Sequence, residues 1–385
     1  MPDPRATVAD VVRVLDAAYP PALAEDWDLG IGLTCGDPAD PVDRVLLAVD
    51  ADAVTAAEAV EVGAQLLVTH HPLLFRAVRS VAAGPGPAGV VHRLQRAGIA
   101  HLAAHTNADK ARDGVNDALA ELLELRDVRP LVPDAGEPLD KIVVFVPDGD
   151  APAMVSALAA AGAGTIGDYA EAAWTSPGTG QFRPMAGAHP AIGTVGSLER
   201  VPEVRVEMVA PRSARDRVVA ALRTAHRYEE PAFDVLALQP VDAAATGSGR
   251  IGRLPATTTL RDFAGTVARL LPGTATGLRV RGEPDAPVST VAVCGGSGGS
   301  FLPDVLRSGA DVYLSSDLGH HTAGDVPTGA GGPALVDVAH WAGEWPWLRR
   351  AAARIEAALD GSVSTTVSVR RTDPWTFRVA SPGQP

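Results

Sequence analysis

Short apolar runs alternate with helix-like segments at both ends of this chain, and that rhythm limits what it can fold into. Arg44-Val-Leu-Leu-Ala-Val-Asp50 reads as a buried strand, an alanine-rich stretch from about Asp52 to Val62 as a helix, and Leu66 to Val68 as the next buried strand. A helix over Val90 to Ala97 then leads to the strand Ile99-Ala-His-Leu-Ala-Ala-His105. Helical crossovers connect parallel strands, so this order predicts an α/β sheet. The rhythm returns in Thr290-Val-Ala-Val-Cys-Gly295, Ala310-Asp-Val-Tyr-Leu-Ser-Ser-Asp317 and Ala334-Leu-Val-Asp-Val-Ala-His340. At the amino end, Val8, Val11, Val12, Leu15 and Ala18 share one face of a helix that Pro20 and Pro21 end. A glycine-punctuated apolar segment, Trp27 to Leu33, follows it, and the β-branched run Ser362 to Arg370 reads as a final strand.

The middle of the chain has a different texture. By composition, Leu131 to Pro138 and Val241 to Gly249 read as linkers. Between them runs an internal echo. Lys141-Ile-Val-Val-Phe-Val-Pro147 with the helix-like Ala151 to Ala161 is matched by Val204-Arg-Val-Glu-Met-Val-Ala-Pro211 with Ala214 to Ala225. Two strand-helix halves with strands between them predict a ferredoxin-like α+β unit. The expected architecture is one α/β domain split in sequence, residues 1–130 plus 245–385, with a smaller domain over 138–240 inserted into it.

Composition excludes several function classes. A formal net charge of -13 over 385 residues opposes nonspecific attraction to phosphate backbones, so nucleic acid is a disfavoured partner. No apolar stretch is long enough to span a bilayer, and Met1-Pro-Asp-Pro-Arg5 lacks a signal-peptide pattern, which together predict a cytoplasmic protein without a membrane partner. Cys35 and Cys294 are too few for a disulfide framework and have no CxxC spacing. Any bound metal must therefore use nitrogen and oxygen.

Three segments supply those atoms. His70 and His71 sit where an apolar strand becomes loop, because Pro72 cannot continue a ladder. His105 and Asp109 follow a second strand; Asp109 can bridge or chelate, while His105 can ligate or hold a proton. The alternative there is a turn, with Asp113 or Asn116 capping a helix to about Leu123. His340 and Glu344 follow a third strand, and as i and i+4 of one helical turn they share a face. Parallel strands would bring these ends to one edge of a sheet. His70, His71, Asp109, His340 and Glu344 exceed what one tetrahedral ion needs, and suit two divalent ions about 3.5 to 4 Å apart sharing carboxylates. Mixed imidazole and carboxylate ligation suits zinc, iron, manganese, cobalt or nickel and argues against calcium. In Leu314-Ser-Ser-Asp317-Leu-Gly-His320-His321, Asp317 or His321 is a candidate outer residue or proton carrier. The glycine-rich loop 295–299 either lets the backbone turn tightly or receives an anion.

Taken together, Val-Thr-His-His-Pro-Leu-Leu-Phe, Ala-His-Thr-Asn-Ala-Asp, Cys-Gly-Gly-Ser-Gly-Gly-Ser, Asp-Val-Tyr-Leu-Ser-Ser-Asp and Asp-Val-Ala-His-Trp-Ala-Gly-Glu resemble the motifs of the NGG-interacting-factor-like proteins. That family is also known as the GTP cyclohydrolase 1 type 2 homologues, or dinuclear-metal-centre hexameric proteins. The resemblance runs over nearly the whole chain. It implies a two-metal site on His70, His71, Asp109, His340 and Glu344, and a toroidal homohexamer. Segments 162–169, 178–184 and 228–234 resemble the PII/CutA-like insertion of the family's longer members. One departure is Trp27-Asp-Leu-Gly-Ile-Gly-Leu33, where the family has Trp-Asp-Asn-Val-Gly-Leu. The function this implies is a metal-dependent hydrolase for a small phosphorylated or nucleotide-like substrate, with His105 or His321 shuttling protons. The alternative is a non-catalytic metal-binding or regulatory ring that binds a ligand or partner through its insertions.

Overall fold

The computed structural model describes residues 5–136, 138–239, 243–327 and 331–379. Met1 to Pro4 of the leader reading, and Glu137, Val241 and Asp242 of the two linker readings, lie outside the described residues. The chain divides into two compact units, Met1–Asp134 with Ala245–Pro385, and Ala135–Ala244.

The first unit begins with α1 (Val8–Ala18), β1 (Gly32–Cys35), β2 (Arg44–Ala48), α2 (Ala53–Glu61), β3 (Leu66–Thr69), α3 (Pro87–Ala97), β4 (Ala100–Ala103), α4 (Thr106–Lys110), α5 (Val115–Leu122) and β5 (Arg126–Ala135). Side chains start the early helices: Thr7 and Asp10 form a capping box on α1, and Asp52 accepts from the amides of Val54 and Thr55 on α2. The second unit holds β6 (Leu139–Pro147), α6 (Ala151–Ala160), β7 (Ala173–Phe182), β8 (Glu199–Pro211), α7 (Arg215–Ala225) and β9 (Phe233–Ala237). The first unit resumes with β10 (Ala243–Thr259), α8 (Leu260–Leu270), β11 (Arg279–Arg281), β12 (Pro287–Ser297), α9 (Leu302–Ser308), β13 (Val312–Ser316), α10 (His320–Gly324), β14 (Ala334–Val338), α11 (His340–Glu344), α12 (Pro346–Ala358) and β15 (Ser364–Val367).

The first unit is built on two sheets where a single one was expected. One has the order β1-β4-β3-β2-β15, the other β11-β14-β13-β12-β10-β5. β15, β2, β3 and β4 run parallel, as do β12, β13 and β14. Alternation along the strands divides the core. Val45, Leu47, Leu66 and Val68 join α1, α5, α8, α12 and one face of the second sheet in one cluster, while Leu46, Ala48 and Leu67 face α2 and α3. Strands buried on both faces read as continuous apolar runs for this reason. A layer of helices between two sheets satisfies both, and no local pattern distinguishes it from one larger sheet.

The boundaries between the two units fall inside both linker segments, but these segments are largely strand rather than loop. Residues 131–135 belong to β5 and 243–249 to β10, which are neighbours at the end of the six-stranded sheet. β5 is the edge strand, so Pro130 and Pro133 can lack their amides without breaking a central ladder. A Cβ on Gly247 would lie 2.2 Å from the Val132 carbonyl oxygen, so the glycine there reflects close backbone approach.

In the second unit, β6 pairs antiparallel with both β8 and β9, and β7 with β8, giving the order β7-β8-β6-β9. Its core packs Ile142, Val144, Val206 and Met208 against Met154 and Leu158 of α6 and Val218 and Leu222 of α7. Among the described residues no helix is long and apolar enough to cross a membrane.

Candidate metal centre

Each donor arrives on a backbone already held. β3 ends at Thr69, yet His70 N still donates to the Ala48 carbonyl at 3.2 Å and His71 N to that of Val49 at 2.8 Å. The histidine pair is therefore fixed by β2 beyond its own strand. Asp109 lies on the short α4 after β4, and His340 and Glu344 are the first and last residues of α11 after β14. Donors thus come from both sheets. The expectation of one sheet edge is corrected to the meeting of two.

The five side chains converge around the buried Glu344 carboxylate. Glu344 Oε1 lies 2.9 Å from His340 Nε2 and 3.4 Å from His70 Nε2, and its Oε2 lies 3.0 Å from His71 Nε2. His70 Nε2 is also 3.6 Å from Asp109 Oδ1, and the Nε2 atoms of His71 and His340 face each other at 3.2 Å. Two ring nitrogens at that spacing need a proton or a cation to relieve their lone pairs. Gly296 makes the space possible: its φ is +70°, and a Cβ there would lie 2.4 Å from Glu344 Oε1 and 3.2 Å from His340 Nε2.

These residues fit a metal on their own chemistry. His70 Nε2, Asp109 Oδ1 and Glu344 Oε2 are buried and lack a hydrogen-bond partner among the described residues, a costly state that an ion would remove. Two sets bring one donor atom from each member within 4.8 Å of the others: His70, His71 and His105, and His71, His340 and Glu344. Neither cysteine belongs to them, and burial pushes the Cys294 thiol up to about 12.

Every ring has its other nitrogen occupied. Nδ1 of His70 donates to the Ala104 carbonyl at 2.9 Å, that of His71 to Asp50 at 2.7 Å, that of His340 to Asp317 at 2.6 Å, and that of His105 to Asp28 at 3.0 Å. Such contacts set the tautomer and aim Nε2 at the centre. Thr372, near the carboxyl end, in turn donates to Asp50. Asp28 is buried and also accepts from the Thr106 amide and hydroxyl at 3.1 and 2.6 Å. Beside His105 stand Trp27 and Phe75, 59% and 55% exposed, with ring centroids 6.1 and 6.2 Å from it.

Sequence reasoning passed over Asp28 and Asp50. Asp50 had a signal, since it follows a strand as the other donors do. Asp28 had only its place in the Trp-Asp pair. Asn116 is not a helix cap: Gly114 is the N-cap of α5 and supplies no side-chain bond, and Asn116 Nδ2 donates to the Asp109 carbonyl while its Oδ1 accepts from Gly295 N, at 2.9 and 2.8 Å. It ties the Asp109 turn to the glycine-rich loop. The tight-turn reading of that loop agrees with Gly296, and with Gly298, whose Cβ would lie 2.1 Å from the Tyr313 hydroxyl. Of the outer candidates, Asp317 holds His340, whereas His321 lies exposed on α10 with its ring centroid 5.2 Å from that of His320.

Charge is strongly coupled here. Burial opposes protonation of His70, His71 and His340, but the carboxylates outweigh it, chiefly Glu344, so all three are raised, His340 to about 9. Burial works to raise Glu344, yet the three imidazoles hold it well below the usual range. Burial raises Asp109. Ions entering this centre must displace protons.

The profile of the Duf34/NIF3 (NGG1p interacting factor 3) family matches residues 6–374. A protein of Mycobacterium bovis named GTP cyclohydrolase 1 type 2 homolog is 50% identical over 370 residues, covering 96% of both chains. One of the same name from Bacillus subtilis is 38% identical, covering 86% of this chain and 87% of the relative. The crystal structure of a Bacillus cereus protein related to NIF3 superposes with a TM-score of 0.72 at 35% identity, over 98% of this chain and 100% of the other. The chain belongs to the Duf34/NIF3 (NGG1p interacting factor 3) family.

Proposed function

We propose that the chain is a metal-dependent hydrolase for a small phosphorylated or nucleotide-like molecule, with two divalent ions (zinc, iron, manganese, cobalt or nickel) held by His70, His71, Asp109, His340 and Glu344. One observation carries this reading: donors from two sheets meet around Glu344 with buried, unpartnered atoms, while the far nitrogen of each imidazole is already held. When bound, such ions acidify water and neutralise charge that develops on a substrate oxygen. Around them, Asp50, Asp317 and the Ala104 carbonyl keep the rings aimed. His105, oriented by Asp28, takes up or releases a proton through Nε2. Trp27 and Phe75 present apolar faces beside His105, which suits a substrate with a planar ring. The relatives' name supports ring-opening hydrolysis.

In this reading the second unit is a ferredoxin-like, PII/CutA-like insertion, and six copies assemble as a toroid in the cytoplasm. The β-α-β-β-α-β order and the sheet order β7-β8-β6-β9 support the insertion's assignment. The test is elemental analysis of the purified protein, then a turnover screen of nucleotides and phosphate esters. Asp109→Ala should abolish turnover of any substrate found while the assembly persists; unchanged turnover would overturn the catalytic reading.

A second reading, a regulatory metal-binding assembly, is favoured by a cavity of about 340 Å³ wholly within the second unit. Under it the metal is structural, and a chelator should lower the melting temperature or dissociate the ring.

A further inference from the structure

We propose that the cavity of the Ala135–Ala244 unit binds a small organic cation, an ammonium or amine carried on an apolar body. This rests on the reading of that unit as a ligand-binding module, and is independent of the hydrolase reading.

The cavity is lined by Phe182 at the end of β7 and Tyr228, and by Phe145 from β6, whose ring already carries the Arg205 guanidinium at 5.9 Å, with Glu203, Glu229 and Glu230 beside them. Phe182 and Tyr228 stand edge to face, with centroids 5.5 Å apart and planes at 61°. Two of the three sequence segments singled out in this unit, 178–184 and 228–234, meet on one carboxylate. Tyr228 donates its hydroxyl to Glu203 Oε1 at 3.0 Å. A Cβ on Gly180 would lie 2.0 Å from Glu203 Oε2, so the glycine leaves the volume that this carboxylate fills. His189 N donates to Glu229 Oε2 at 3.0 Å.

Nearby arginines do not neutralise these acids. Arg205 pairs with Glu207 at 2.8 Å, Arg227 with Asp150 at 2.6 Å, Arg200 binds Gln181 at 3.0 Å, and Arg183, itself at the lining, donates to the Gly196 carbonyl at 2.5 Å. Among the described residues none of the three glutamates forms an ion pair. Aromatic faces and unpaired carboxylates around one cavity attract a cation and repel an anion. A neutral apolar molecule would leave the Glu203 charge without a counter-charge. The observations therefore select an organic cation.

The test uses the full-length protein and choline as the probe, with 3,3-dimethylbutan-1-ol as its neutral isostere, followed by NMR titration. Choline should bind about tenfold more tightly than the isostere, with transfer of magnetisation from its methyl groups to phenylalanine and tyrosine ring protons. Glu203→Gln and Tyr228→Leu should each remove most of that preference, while Asp109→Ala should leave it intact. Equal affinity for the two probes, or a preference that survives both cavity substitutions, would overturn the proposal. Where a variant does not fold, the ring contacts in the unaltered protein decide: their absence is equally fatal. Loss of turnover with choline binding retained would bear on the metal centre alone.

Discussion

The metal centre and the cavity of the second unit differ in how completely the protein specifies them. Around Glu344 the outer nitrogen of every imidazole is held and its inner nitrogen is aimed at the centre, and the surrounding backbone is tied by Asn116 and shaped by Gly296. In the cavity, Glu203 has a single side-chain partner and the walls are only partly buried. A site whose atoms are over-determined can impose coordination geometry on an ion; a looser aromatic box accepts groups that differ in shape.

The sharpest way to break this contrast is to remove its hub. Glu344→Ala takes away the carboxylate that faces three imidazoles, and metal content measured after dialysis should fall to near zero; retention of ions at the original stoichiometry would show that Glu344 is dispensable. Next come the aiming residues. Asp50→Asn and Asp317→Asn should each weaken metal binding by about 10- to 100-fold in chelator competition, with Thr372→Val milder because it acts through Asp50. Equal affinities across these variants would reduce the outer contacts to packing.

Smaller still is Gly296→Ala, which must adopt a φ of +70° and crowd Glu344; a loss of about 1–3 kcal/mol in denaturant unfolding is expected. The pH dependence of the metal-free protein sharpens the electrostatic side. His340 is raised from 6.5 to about 9, so its contribution to stability is complete below 6.5 and fades as pH climbs through about 9. Metal affinity should run the opposite way, rising over that window as protons leave. A melting temperature of chelated protein that is flat from pH 6 to 9.5 would contradict this coupling. Least of all, Tyr228→Phe should cost about 1 kcal/mol and leave metal content untouched, since it removes one hydrogen bond from the other region.

Histidine shows how far local reading reaches. His70 and His101 are both fully buried, one just beyond β3 and the other within β4. Burial alone lowers His101 to about 3, its ring bonded to the Thr69 hydroxyl at 2.9 Å, whereas His70 is raised because Glu344 and Asp109 face it. Strand-end position separated the two: His101 sits inside its apolar run, His70 beyond the end of its own. Asp50 obeyed the same rule and was overlooked. Asn116 obeyed a different local rule, that of the helix cap, which lost to a contact with Gly295, 179 residues away. Pro133 and Gly247 suggested linkers because composition reports turn-forming residues without reporting that a strand stands at a sheet edge or that two backbones touch.

From the sequence alone came the α/β alternation, the strand ends that carry imidazoles and carboxylates, and the helical turn that places His340 and Glu344 on one face. These follow from period and steric rules acting over a few residues. Only the tertiary structure decided that the strands divide into two sheets, that Asp28, Asp50 and Asp317 aim the rings, and that Gly296 opens the space at their centre. The aiming contacts join residues 21 to 77 positions apart, and the division into two sheets depends on packing through a shared layer of helices that no local pattern encodes.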